Sequence, residues 1–190
     1  MHDIHHTEAF VLESRHIKEY DGVVVLFTKE FGLVHAHATG VFKHTAKLRS
    51  HVQPYSFISA DLVRGRQVWR LTNARIIENP CYQDKSPLLK LYIQYLHGVN
   101  RFYIGEEPHH ELFTHAKVLL NHVRGLYKSM LSMEDIATVS LFKLFYFLGY
   151  IEHSVHDGVY LEEGFSSPEN SSHLSSLALR VRNVLKITQL

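Results

Sequence analysis

The sequence is short of most features that announce a function. It has a single cysteine, Cys81, in 190 residues, which excludes an internal disulfide and any zinc site built from cysteine alone. No apolar run reaches the roughly 20 residues that a membrane helix needs. The richest stretch, Leu141 to Ile151, is interrupted by Lys143 and Gly149. The first ten residues, MHDIHHTEAF, lack the basic-then-apolar order of a signal peptide. Charge of one sign is missing as well: 20 Lys and Arg face 19 Asp and Glu, a formal +1. There is no Gly-rich phosphate loop, no His-Glu-x-x-His pair and no serine in a nucleophile elbow. These absences predict a soluble cytoplasmic protein that has no enzymatic activity, cofactor, metal or membrane partner and works by binding.

What is present is periodicity of two kinds. Residues 7–15 alternate, with Ala9, Val11 and Glu13 on one face and Phe10, Leu12 and Ser14 on the other. Asp21-Gly22 is a turn signal before the β-branched and aromatic run 23–28, and Phe31-Gly32 turns the chain into the strict alternation of 33–39. Residues 41–54 read as a basic, irregular connection that ends at Pro54. Two further strands follow, 55–63 and 67–77, joined by a tight Arg64-Gly65-Arg66 turn. Five strands with one long connection between the third and fourth fit a small OB barrel, and equally an SH3-like barrel.

After Asn79-Pro80 the period changes. Ser86-Pro87 is an N-cap followed by proline at the first helical position. Leu88, Leu91, Tyr92, Tyr95, Val99 and Phe102 then recur at helical spacing. A second helix carries Leu112 to Val123. A third opens on a Ser132/Asp135 capping pair and ends at Gly149. Being apolar nearly all round, it belongs at the centre of a bundle. Residues 152–172 read as a polar loop and 173–188 as a last helix. The fold class is therefore α+β, with an N-terminal five-stranded OB-fold β-barrel followed by an α-helical domain. The expected domains are 1–80, binding nucleic acid, and 81–190, helical.

The position of charge is more telling than its total. Residues 1–80 hold ten Lys and Arg against eight Asp and Glu, a net +2. An OB barrel offers strands two and three, and the loops joining strands 1–2 and 4–5, to single-stranded nucleic acid. Arg15 and Lys18 lie in or beside the first of those loops, and Arg64 and Arg66 form the second. Lys43, Lys47 and Arg49 occupy the long connection. Lys and Arg neutralise phosphates without regard to sequence, and aromatic rings such as Tyr20, Phe42 and Tyr55 can stack on bases. Sixteen histidines invite a metal reading. His35/His37 and His153/His156 each form a pair, but neither has the third and fourth ligands that zinc requires. Cys81 reads as a packing residue, and Glu162-Glu163 lie in a loop too loose for acid–base chemistry. The competing interpretation is a protein-interaction scaffold that binds no nucleic acid.

The segments AFVLESR, LFTKEFGLVHAHATGVFK and LRSHVQPYSFI resemble the N-terminal OB domain of RecO, the bacterial recombination mediator. The combination consists of an A-x-V-L-x-S-R first strand, an F-T-x-E-x-G turn, a basic G-x-x-K connection and Q-P-Y/F before the fourth strand. LYIQYL and FLGY resemble the helical domain of the same family. The resemblance implies annealing of single-stranded DNA, and loading of RecA with RecR onto DNA coated by the single-strand binding protein, SSB, whose tail is a further partner. It implies no hydrolysis. It places Lys43, Lys47 and Arg49 in the DNA-binding loop, and the protein in the bacterial cytoplasm, with the nucleoid. Two departures stand out. The four-cysteine zinc finger that often follows the LGY motif has no cysteine here, so that region is reduced or absent. In addition, Thr138-Val139-Ser140-Leu141 stands where an Arg followed by Phe-Glu is common.

Overall fold

Alternation in the first 80 residues produces five strands in the computed structural model, which describes residues 3–80, 86–126, 131–152, 154, 157–161 and 171–188. They are β1 (Ile4–His16), β2 (Gly22–Thr28), β3 (Gly32–Ala38), β4 (Phe57–Arg64) and β5 (Trp69–Glu78). They close in the order β1-β2-β3-β5-β4. Every pair is antiparallel except β3–β5, which is parallel. The inward positions, among them Val11, Leu26, Val34, Ile58, Leu62 and Trp69, fill one apolar core. β1 is long enough to pair with both β2 and β4. A register shift between Val11 and Glu13 lets it bend round the barrel.

Several boundaries differ from the sequence reading, each for a local reason. β4 begins at Phe57 rather than residue 55, because Tyr55 is left-handed at φ 66 and cannot continue a strand. The connection 41–54 is not wholly irregular: Lys47–His51 forms the short helix α1, packed on β5. The turn between β4 and β5 is wider than Arg-Gly-Arg, closing with Gly65 N–H on the Val68 carbonyl at 3.0 Å. β1 runs on to His16, so Arg15 lies in the strand, paired with Val23.

β2 is buried along its whole length. Its outward residues Val23, Val25 and Phe27 are as covered as its inward ones, with Tyr103 packed edge-on against Phe27 at 5.7 Å. The β3–β5 seam is the thin part of the barrel, with only Ala36↔Trp69 and His37↔Arg70 in register. Residues 103–110 close the free edge of β3. Leu33 N–H donates to the Gly105 carbonyl at 2.9 Å, and Gly32, at φ +62, lies so near Glu107 that a Cβ would collide with its carbonyl. Accordingly, one compact unit comprises the barrel with Tyr103–His110, and a second comprises Lys85–Phe102 with Glu111–Leu190.

The remaining helices are α2 (Pro87–Phe102), α3 (His110–Val123), α4 (Met133–Phe147), α5 (Gly158–Leu161) and α6 (Ser171–Thr188). Their ends follow the capping residues. Ser86 Oγ accepts from Leu89 N–H at 3.2 Å, and Ser132 Oγ from Asp135 N–H at 3.2 Å. Gly149, at φ +78, ends α4 as its N–H meets the Tyr146 carbonyl at 2.9 Å. α4 is buried on nearly all sides and packs against α2, α5 and α6. Arg180 ties α6 to the chain after α4, donating to both carboxylate oxygens of Asp157 at 3.0 and 2.9 Å and lying 5.6 Å over Phe142. One turn of helix, α5, stands inside the stretch read as a loop, and α6 starts two residues before the expected 173. Among the described residues no helix is long and apolar enough to cross a membrane.

Candidate nucleic-acid interface

The barrel gathers the candidate basic residues into two clusters. The first forms where the β1–β2 loop meets the β3–α1 connection, two segments about twenty residues apart that are joined by hydrogen bonds. Gly40 N–H donates to Asp21 Oδ1 at 2.7 Å, and Phe42 N–H donates to the Tyr20 carbonyl at 3.0 Å. Gly40 itself is left-handed at φ +65, a conformation that glycine adopts without strain. Phe42 is stacked on His16 with ring centroids 3.5 Å apart and planes at 18°. Lys43 Nζ lies 6.0 Å from the centre of the Tyr20 ring. Arg15, Lys18 and Lys43 are exposed around these rings, and Lys47 and Arg49 are exposed on α1, which follows directly. Three successive turn bonds, Lys43 N–H to Gly40, Ala46 N–H to Lys43 and Arg49 N–H to Ala46, fix that connection. Arg15 is 4.0 Å from Glu13, both at the surface, a contact of little energetic weight. Its hydrogen bond to Glu19 raises the pKa of the Tyr20 hydroxyl, with burial adding to the effect. That ring therefore brings no negative charge near neutral pH.

The second cluster surrounds Trp69 at the start of β5. Phe31 and His5 pack on this indole at centroid distances of 5.2 and 5.6 Å. The Arg64 guanidinium lies 5.3 Å from the centre of the ring. Arg64 also reaches Glu106 at 3.3 Å. Arg66 is exposed in the 65–68 turn. Trp69 Nε1 is buried and meets no hydrogen-bond acceptor.

Some expectations were placed differently. β2 does not present its outward face, since that face is buried, so the exposed strand surface is that of β3 and β5. Tyr55 is half-buried at the entry to β4, its N–H held by the Val11 carbonyl at 2.7 Å. His35 and His37 share the outward face of β3, as the alternation predicts. Among the described residues no group of three His, Cys, Asp or Glu comes together to hold a metal ion. Cys81, His153, His156, Glu162 and Glu163 lie outside the described residues. The sequence reading passed over Arg70 and Arg75, both exposed on β5. The signal was available: Arg70 stands between Trp69 and Leu71, which alternation sends inward.

Comparison with known proteins bears on this half of the chain. Residues 1–80 match the family model described as Recombination protein O N terminal. Three curated relatives, each named DNA repair protein RecO, align with the chain. That of Alkaliphilus metalliredigens is 38% identical over 63 residues, covering 33% of this chain and 26% of the relative. That of a Nocardioides species is 31% identical over 74 residues, covering 39% and 30%. That of Heliobacterium modesticaldum is 34% identical over 76 residues, covering 40% and 28%. The matched stretches thus span less than a third of the relatives' own length.

Proposed function

We propose that the chain, whose residues 1–80 match the Recombination protein O N-terminal model and align with DNA repair proteins RecO, serves DNA repair as a non-enzymatic recombination mediator whose barrel binds single-stranded DNA. The observation that carries this reading is the pairing of cations with rings. Lys43 lies beside Tyr20 and the His16–Phe42 stack at one cluster, and Arg64 lies over Trp69 at the other. Phosphates taken up by Lys and Arg fix a strand without reading its sequence, and the exposed Tyr20 ring can accept any base, whereas Trp69 is buried and supports Arg64 from within the barrel. Lys18, Arg15, Lys43, Lys47 and Arg49 serve the first cluster; Arg64 and Arg66 serve the second. In this scheme residues 1–80 are the nucleic-acid-binding domain and 81–190 the helical domain.

Annealing follows from the same chemistry. Two complementary strands repel through their phosphates, and a cationic surface that holds the backbone lowers that repulsion while leaving base edges free to pair. The partners implied by the family are RecR, SSB with its C-terminal tail, and RecA indirectly, in the bacterial cytoplasm. Tail binding is not assigned to residues 138–141. That stretch of α4 offers no basic side chain, and Ser140 is buried with its hydroxyl donating to the Ile136 carbonyl at 2.7 Å. The test is the pairing rate of two complementary oligonucleotides followed by fluorescence quenching. The protein should accelerate pairing, and the variant carrying Lys43→Ala, Lys47→Ala and Arg49→Ala should accelerate it much less. A parent protein that leaves the rate unchanged would remove this reading.

A further inference from the structure

Between the two clusters the barrel surface is formed by β3 and β5. Val34, Ala36 and Trp69 point into the core, so alternation sends His35, His37 and Arg70 outward, and all three are exposed. His37 and Arg70 are direct register partners across the seam. β3 starts next to Phe31, which packs on Trp69 in the second cluster. It ends at Ala38, the partner of Gly22 beside the first cluster. The two histidines therefore lie on the path from one cluster to the other.

The surroundings of these histidines carry little negative charge. On β2 their register partners are Val25 and Val23. On β5 Arg70 is the register partner of His37, and Arg64, at the end of β4, and Arg66, in the turn that follows, precede it in the chain. Lys43 and His44 follow the end of β3. The acids of the flanking segments are Glu19 and Asp21, Glu30, and Glu106 and Glu107. Glu19 is engaged with Tyr20, Asp21 accepts from Gly40 N–H, Glu30 accepts from the Thr7 hydroxyl and lies beside Lys29, and Glu106 is paired with Arg64. Among the described residues, the side chains of His35, His37 and Arg70 make no hydrogen bond, ion pair or ring contact.

We infer that His35, His37 and Arg70 form a third phosphate contact that joins the two basic clusters, with its charge set by proton uptake on the two imidazoles. This rests on the strand-binding reading above. Histidine is the side chain that gains positive charge as pH falls from 8 to 5. A phosphate lying against an imidazole favours the charged form. Proton uptake and strand binding then reinforce each other, as linkage requires.

The experiment is a titration of fluorescent oligothymidylate by anisotropy, at pH 7.5 and pH 5.8, each at several salt concentrations. Thymine has no group that changes charge in that range. The slope of log affinity against log salt should be steeper at pH 5.8 by up to about 1.4, from two added contacts of about 0.7 each. The variant His35→Gln with His37→Gln should keep most of the binding at pH 7.5 and lose that steepening. Arg70→Gln should flatten the slope by about 0.7 at both pH values. All three positions are exposed, so circular dichroism should show unchanged folding. A double variant whose slope steepens as much as the parent's, or a parent with equal slopes at the two pH values, overturns the inference. A parent that binds at neither pH removes the strand-binding reading itself, and this inference with it.

Discussion

His115 shows how one residue sets a condition on the helical unit. It lies on α3, 3% exposed, with its ring edge-on to Tyr95 at 5.2 Å. Burial pushes its pKa well below the ordinary histidine value, and the charges of Lys143 and His122 push it the same way. The folded chain therefore holds this imidazole neutral, whereas the unfolded chain protonates it below about pH 6.5. The stability it allows is complete above that value and is lost as pH falls below it. The loss is on the order of 1 kcal/mol for each pH unit until the folded state also takes up the proton. Thermal unfolding of the parent should thus shift to lower temperature between pH 7.5 and pH 5.5. His115→Phe keeps a ring beside Tyr95 and cannot titrate. Whatever its cost at pH 7.5, its midpoint should depend less on pH than the parent's. Equal pH dependence in the two proteins would show that His115 is not the group responsible.

At the scale of elements, α2 and α4 approach closely because Gly98 has no side chain. A Cβ built there would meet Leu144 Cδ2 at 2.5 Å, and Leu144 is fully buried. Alanine is favoured over glycine in a helix interior by about 1 kcal/mol. Gly98→Ala should nonetheless destabilise the protein, by about 1–3 kcal/mol, since the core must shift to admit the methyl group. Chemical denaturation of the single and double variants checks this: in a Leu144→Ala background the cost should shrink or reverse. Elements of this kind were largely legible in the sequence. Alternation, a β-branched run and turn signals together located all five strands, and Ser86, Ser132 and Gly149 marked helix ends because capping is local chemistry. Tyr55 in a left-handed conformation and the short α1 were not legible, because each is imposed by packing against distant strands. The basic loops could be read as charge clusters. That Gly40 and Asp21 would join two of them could not, since that bond depends on closure of the barrel. The burial of β2 on both faces was equally hidden, as its run of apolar residues fits a strand buried on one face or two.

For the molecule as a whole, the proposed strand binding rests on the distribution of charge rather than its amount. The formal charge is only +1, yet the barrel places exposed cations beside rings at two clusters and leaves an exposed β3–β5 surface between them. Two of the acids within reach are spent on structure: Asp21 holds Gly40, and Glu106 is paired with Arg64. Attraction that comes from phosphate neutralisation must weaken linearly with the logarithm of salt. The most direct measurement is therefore oligothymidylate affinity at pH 7.5 over a range of salt, for the parent and for Lys43→Ala, Lys47→Ala, Arg49→Ala. All three side chains are exposed, so the variant should fold as the parent does, with the fluorescence of Trp69 unchanged. If all three residues touch phosphate, the variant's salt slope should be smaller than the parent's by roughly 2. A folded variant with the parent's affinity and slope would contradict the account.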